Sequence, residues 1–256
     1  MTRSVIRLGS ALSRIPVRII FNSRASAVQH ARLGYATRRT AVIPNGFDCE
    51  QYSPSKTVRQ RVRQALGIAD SSILIGLIAR HHPMKDHTTF FRAAGILAKQ
   101  YGDVQFLLAG PGITADNEEI AQLVSWHELG DRIRLLGERA DISELNNALD
   151  IACSCSYYGE AFSNAIGEAM ACGIPCIVTD VGDSKWIVGD TGRVVQPRDA
   201  DAFAGAVKAL IAAGREERLR LGLNARRRIL SDFSLDKVVQ VYETLYEETH
   251  RSYMRT

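Results

Sequence analysis

Residues 160–182 read EAFSNAIGEAMACGIPCIVTDVG, and the order of residue types along this stretch decides the fold. Small and capping residues, Ser163 and Asn164 among them, open a helix over 164–172, and Gly173 with Pro175 closes it. The apolar run at 176–179 follows as a buried strand. A helix delivered to a strand through a tight Gly-x-Pro turn is half of a βαβ unit.

The alternation continues outward in both directions. Short apolar runs predict strands at 73–79, 104–109, 133–136, 151–154, 176–179 and 193–195, with helices at 86–100, 117–127, 142–149, 164–172 and 199–213. Six strands with helices between them predict an α/β fold, a doubly wound parallel sheet. Beyond it, 215–253 reads as two helices broken near Phe233 and Ser234. At the other end, 17–22, 24–33 and 40–43 read as a strand, a helix and a strand too small to close a core of their own, so the rest of a domain is expected upstream. The turn formers Pro44-Asn45-Gly46-Phe47-Asp48 precede a polar helical stretch at 56–66. The expected organisation is a domain remnant at 1–44, a linker at 45–66, the sheet domain at 67–232 and a C-terminal helix at 233–256.

Composition narrows the function classes. The 256 residues balance apolar and charged types as ordinary globular proteins do, and a net charge of +4 spread along the chain calls for no nucleic-acid partner. The five cysteines, Cys49, Cys153, Cys155, Cys172 and Cys176, form no CxxC pair and mostly sit in apolar runs, which predicts buried reduced thiols in a cytosolic protein. No run reaches the ~20 apolar residues of a membrane-spanning helix. The basic, partly apolar N-terminus is interrupted by Arg7, Arg14 and Arg18 and carries no secretory cleavage site.

In open parallel sheets a ligand lies beyond the carboxyl ends of the strands, so the residues after each strand carry the chemistry. After the first comes ARHHPMKD at 79–86, where Arg80 and Lys85 share a loop ahead of a helix. A guanidinium fork and an ammonium suit a diphosphate; taken alone, the spacing equally describes two solvated surface cations. After the second strand AGPG, 109–112, gives a tight turn at Gly110 that admits close backbone approach, or is simply a turn, and it does not extend to a dinucleotide fingerprint. After the third, the loop of Glu138 and Arg139 either walls a base pocket or is a plain surface loop. After the fourth, the free N–H groups around Ser163 to Ala165 form a natural anion site, flanked by Glu160 and Glu168. Eight helical residues span roughly 12 Å, a reach that suits the sugar hydroxyls at one end of a nucleotide sugar and the ribose at the other. Glu160 could otherwise be a first-turn dipole partner, but Glu168 lies among small and apolar residues that make a poor solvated face.

The E-x7-E spacing of Glu160 and Glu168, followed by EAMACGIPCIVTDVG, resembles the most characteristic stretch of glycosyltransferase family 4. The resemblance extends to VIPNGFD at 42–48, Arg80 and Lys85, LLAGPG at 107–112 and TGRVVQPRDADAFAGAV at 191–207, and so covers 42–247. It implies the donor-binding, Rossmann-like half of a retaining GT-B transferase whose donor is a nucleotide-diphosphate sugar of UDP or GDP type. Arg80 and Lys85 would bind the diphosphate, Glu160 the transferred sugar, and Glu168 the ribose, with the amides of Phe162, Ser163 and Asn164 completing the cradle and Gly110, Glu138 and Arg139 lining it. It also implies a glycan or lipid-linked acceptor in polysaccharide or envelope biosynthesis. By that analogy the enzyme is cytoplasmic, and its basic N-terminal segment could meet the inner membrane surface. A sugar-nucleotide-binding module without catalysis is the alternative.

One loop departs from the family pattern: its usual glycine pair is Gly182-Asp183-Ser184 here, and its proline and glutamate are replaced by Lys185 and Trp186. The departure puts donor choice and full activity in question. Asp199-Ala200-Asp201 is a literal DxD but opens a predicted helix, where Asp199 reads as an N-cap. His81 and His82 are adjacent, not spaced as helical metal ligands. No metal or other cofactor is expected.

Overall fold

Six short runs, apolar on both faces, can be satisfied only inside a sheet covered by helices on either side. The computed structural model describes residues 3–254; the outermost two residues of the expected N-terminal remnant and of the C-terminal helix lie outside them. In chain order the elements are α1 (Arg3–Leu12), β1 (Ile19–Phe21), α2 (Arg24–Arg32), β2 (Thr40–Val42), α3 (Lys56–Ala65), β3 (Ile73–Ile78) and α4 (His87–Gln100). They continue with β4 (Val104–Ala109), α5 (Glu118–Trp126), β5 (Ile133–Leu135), α6 (Ile142–Ala148), β6 (Ile151–Ser154), α7 (Asn164–Ala171), β7 (Cys176–Thr179) and α8 (Ser184–Val188). The chain ends with β8 (Arg193–Val195), α9 (Ala200–Ala212), α10 (Gly214–Arg228) and α11 (Leu235–Tyr253), the last two separated by a π-helical turn at Ile229–Phe233.

The six strands β3 to β8 form one parallel sheet in the order β5-β4-β3-β6-β7-β8. Side chains alternate between two cores. Leu74 and Leu107 point into one, with Leu145, Ile166, Met170 and Phe233; Ile75, Leu77, Phe106 and Leu108 point into the other, with Phe91, Leu97, Phe203 and Val207. The expected doubly wound parallel sheet is what forms, with strand ends within one residue of the predicted runs. β1 and β2 pair separately as a two-stranded parallel sheet.

Three features differ from expectation. The polar helical stretch expected at 56–66 forms as α3, and it packs on α6 where a free linker would not. Arg63, 2% exposed, donates to the carbonyls of Ala148 (2.8 Å) and Ala69 (2.8 Å) and pairs with Asp150 (3.1 Å), while Arg59 meets the other oxygen of Asp150 at 2.8 Å. Residues 56–66 thus fold with the sheet domain. The short helix α8 grows from the loop that departs from the family pattern; five residues are too few to show a period. α1 was not foreseen either, although Val5, Leu8 and Leu12 recur at helical spacing on an exposed stripe. Before α3 and α11, Phe47 and Ser234 form a parallel bridge, with Phe47 N–H donating to the Phe233 carbonyl (2.9 Å) and Leu235 N–H to the Phe47 carbonyl (2.9 Å).

Asp150 carries this arrangement: besides both arginines it accepts the N–H of Leu74 at 2.8 Å and returns its own N–H to the Leu74 carbonyl at 2.8 Å. Asp150→Ala leaves the buried Arg63 guanidinium without a counter-charge, and we expect a loss of about 3–5 kcal/mol, read as a lowered midpoint in urea unfolding. A loss under about 1 kcal/mol would contradict the role.

Candidate functional site

The sheet order reverses between β3 and β6, and at such a switch point the two adjoining chains leave in opposite directions and open a crevice beyond their carboxyl ends. The loop after β3 carries Arg80 and Lys85; the loop after β6 carries Glu160. The Lys85 ammonium forms an ion pair with the Glu160 carboxylate, both mostly covered, and the Ser156 hydroxyl donates to the same carboxylate oxygen at 2.8 Å. Lys85 sits in a 3-10 turn held by its N–H to the His82 carbonyl at 2.9 Å. Asp86 follows in the left-handed conformation (φ 48°), which an Asp tolerates, and caps α4 by accepting from Thr89 N–H at 3.3 Å. Arg80 is exposed, and its guanidinium has no carboxylate or carbonyl partner among the described residues.

At the start of α7, Ser163 lies in the extended region and its hydroxyl makes no capping bond. Among the described residues, no protein acceptor serves the N–H groups of Phe162, Ser163 and Asn164. Ser163 and Phe162 are buried, the latter between Phe47 (6.1 Å between ring centroids), Phe233 (6.0 Å) and Trp186 (6.3 Å), which holds the loop rigid. The side chain of Asn164 accepts from Asn45 at 2.7 Å. Donors without acceptors on this loop, with Lys85 paired to Glu160 and Arg80 on the loop of Lys85, are the kinds of group that a multiply charged anion would need.

About one turn along α7, Glu168 is half-buried, and burial pushes its carboxyl up while a hydrogen bond from the Tyr52 phenol pulls it down. Burial first, and the facing Glu168 charge second, push the Tyr52 phenol up to about 12. His87, buried behind Lys85, has its imidazole pushed down to about 4 by burial and by His81 and Lys85, so it is neutral at physiological pH.

The remaining expected residues are placed differently. Gly110 (φ 148°) gives its N–H to the Gly137 carbonyl at 2.7 Å, and a Cβ there would stand 2.3 Å from the Ala79 carbonyl oxygen. The absence of a side chain at Gly110 therefore serves the packing of one loop on another. Arg139 forms a fork with Asp141 (2.8 and 2.6 Å), which holds the Asp141 carboxyl below its usual range; it is not a free cation. Glu138 is exposed. Asp199 accepts from Ala202 N–H at 2.8 Å, so the literal DxD is a helix cap. His81 meets Glu119 at 3.3 Å, and His82 accepts from Met84 N–H at 3.2 Å. No group of three or more His, Cys, Asp or Glu side chains gathers among the described residues. All five cysteines are free thiols.

Residues 72–213, more than half of the chain, match the family described as Glycosyl transferases group 1. The chain belongs to that family. It is 27% identical over 213 residues to the UDP-Gal:alpha-D-GlcNAc-diphosphoundecaprenol alpha-1,3-galactosyltransferase of Escherichia coli, covering 81% of this chain and 54% of that protein. It is 29% identical over 195 residues to the N-acetyl-alpha-D-glucosaminyl L-malate synthase of Bacillus anthracis, covering 75% and 49%. Among solved structures, Anabaena Alr3699/HepE in complex with UDP-glucose superposes with a TM-score of 0.86 at 27% identity, covering 96% of this chain and 68% of that one. The chain spans about half the length of the curated relatives it matches.

In the sequence Ser156 and Tyr52 carry no mark of a site, and Asn45 reads only as a turn former. Ser156 ends an apolar run, Tyr52 follows the linker turn, and only the fold brings them to Glu160 and Glu168. Because the folded Glu168 carboxyl is raised, its ionisation opposes folding: the unfavourable contribution is absent below the ordinary glutamate range and grows as pH rises through the folded value. Glu168→Gln is therefore expected to melt above the native chain at pH 7, with the gap closing as pH falls toward 4.5. Thermal scans across that range check it; a variant that melts lower at pH 7 would mean the Tyr52 contact outweighs burial.

Proposed function

We propose that the chain is the donor-binding half of a retaining glycosyltransferase that moves a sugar from a nucleotide-diphosphate sugar of UDP or GDP type to a glycan or lipid-linked acceptor. The observation that carries this reading is the meeting of Lys85 with Glu160 beside three unpaired amides and the exposed Arg80. The UDP-glucose complex of Alr3699/HepE supports it.

In this reading the diphosphate is held by Arg80, Lys85 and the amides of Phe162, Ser163 and Asn164. Charge grows on the leaving phosphate as the anomeric carbon takes on oxocarbenium character, and donors that wait in place for that charge lower the barrier. Glu160 then exchanges part of its hold on Lys85 for hydroxyls of the sugar, while Glu168, on the Tyr52 side of α7, takes the ribose. These groups suffice for the diphosphate without a metal ion. The acceptor is positioned from the side of β1, α2 and β2. A cytoplasmic enzyme at the inner membrane surface fits this reading: no helix among the described residues is long and apolar enough to cross a membrane, and α1 exposes Val5, Leu8 and Leu12 next to basic residues.

Calorimetric titration with UDP-, GDP- and ADP-sugars tests the reading. One nucleotide class is expected to bind, equally well in EDTA, and Glu168→Ala and Lys85→Ala are expected to weaken it by about tenfold to a hundredfold each. Release of nucleoside diphosphate from the donor should lose about 100-fold or more in kcat in Arg80→Ala or Lys85→Ala, with a smaller rise in KM. Absence of binding to all three classes would overturn the proposal.

A further inference from the structure

The loop that departs from the family pattern supplies Trp186 to the cage around Phe162, and its aspartate points elsewhere. Asp183 occupies the N-cap position of α8, where an aspartate ordinarily accepts from the second or third amide of its own helix. It makes no such bond. Its carboxylate, 4% exposed, crosses instead to the N-terminal unit and accepts the N–H groups of Arg24 (2.6 Å) and Ala25 (2.9 Å), the first two residues of α2. The Ser23 hydroxyl takes the third, from Ser26, at 3.0 Å. The open end of α2 is thus satisfied jointly by its own serine and by an aspartate 159 or so residues later.

The same loop is bound to the donor site. Asp183 N–H donates to the Ala161 carbonyl at 3.0 Å, and Gly182 (φ 58°) passes so near that a Cβ would lie 1.9 Å from the Glu160 carbonyl oxygen. Trp186 stacks beneath the Arg24 guanidinium (3.9 Å to the ring) and packs edge-on against Phe162 (6.3 Å) and Phe233 (5.2 Å). One face of this tryptophan therefore belongs to the N-terminal unit and the other to the loop that carries the anion-binding amides.

We propose that Asp183 is a positioning residue for the donor site, a latch that couples docking of α2 to the geometry of the 160–164 loop. It rests on the donor-binding reading above. With the latch closed, α2 immobilises Asp183 and Trp186, and these hold Ala161 and Phe162 so that the neighbouring amides face the diphosphate. Preorganisation of this kind raises affinity without touching the ligand. Linkage then demands the converse: a bound nucleotide tightens the α2 cap.

The test combines hydrogen–deuterium exchange with calorimetry on the full chain, with UDP and GDP as probes. In the unaltered protein, the nucleotide that binds is expected to slow exchange of the Arg24 and Ala25 amides, which lie outside the donor domain. Asp183→Ala should weaken that nucleotide by at least about tenfold, the change that loss of one charge-assisted hydrogen bond produces in an equilibrium. Arg24→Pro provides the second variant and leaves the donor domain intact. Proline is accepted at the first helical position, Ser23 is already extended (φ −148°, ψ 150°), and the change deletes one donor to Asp183 together with the Trp186 stack. It should weaken the nucleotide likewise, with the urea midpoint of the sheet domain retained. If UDP or GDP binds, but neither variant alters its affinity and the Arg24 and Ala25 amides exchange at the same rate with and without it, Asp183 is a structural cap only and the proposal is overturned. If neither nucleotide binds the unaltered chain, the donor reading itself falls, and the latch proposal with it.

Discussion

β3 and β6 are neighbours in space and strangers in sequence, and the candidate site exists only because they pair. Asp150, the residue just before β6, holds that register at two atoms: its N–H reaches the Leu74 carbonyl while its carboxylate takes the Leu74 N–H. The same carboxylate neutralises Arg59 and the buried Arg63, so α3 is tied to the strand pair that it covers. From that register the exit loops of β3 and β6 follow, and with them the distance between Lys85 and Glu160. An ion pair at one end of the sheet is thus positioned by another at the opposite end of the same strands.

Charge is arranged at the two ends in different ways. Around Asp150 every cation has a partner, as burial requires. At the switch point, among the described residues, Arg80 is left without one, three amides entering α7 have no acceptor, and Glu168 is held in a place where its ionisation is disfavoured. Unpartnered donors and a disfavoured carboxylate on neighbouring loops are what the donor-binding proposal draws on.

Much of this was legible in the residues. Strand runs such as 104–109 and 176–179 are bounded by turn formers and are buried on both faces, so composition alone identifies them. Ser163, Gly173 and Pro175 mark both ends of α7. What could not be read was the partnership of residues far apart. Arg139 looked available for a base because its fork to Asp141, two residues away, depends on loop curvature. Gly110 suggested a ligand approach because a glycine shows only that space is needed, not what fills it. The polar stretch at 56–66 looked like a linker because the arginines that bury it are charged, and nothing in the sequence announces that Asp150 waits for them.

Asp183 shows the same limit in its sharpest form. By position it is an ordinary helix cap, and by comparison with its family it is a mere departure. Only the fold reveals that its carboxylate serves a helix of the other unit. A cap made within one helix stabilises that helix alone, and any residue of the capping class will do. When the cap is lent across two units, the amide donors and the carboxylate must meet in one relative arrangement, so a local interaction becomes a constraint on how the units sit. Trp186, stacked on Arg24 and edge-on against Phe162, extends that constraint from a helix end to the loop that precedes α7. The residues that break the family pattern therefore join the N-terminal unit to the loop at the start of α7.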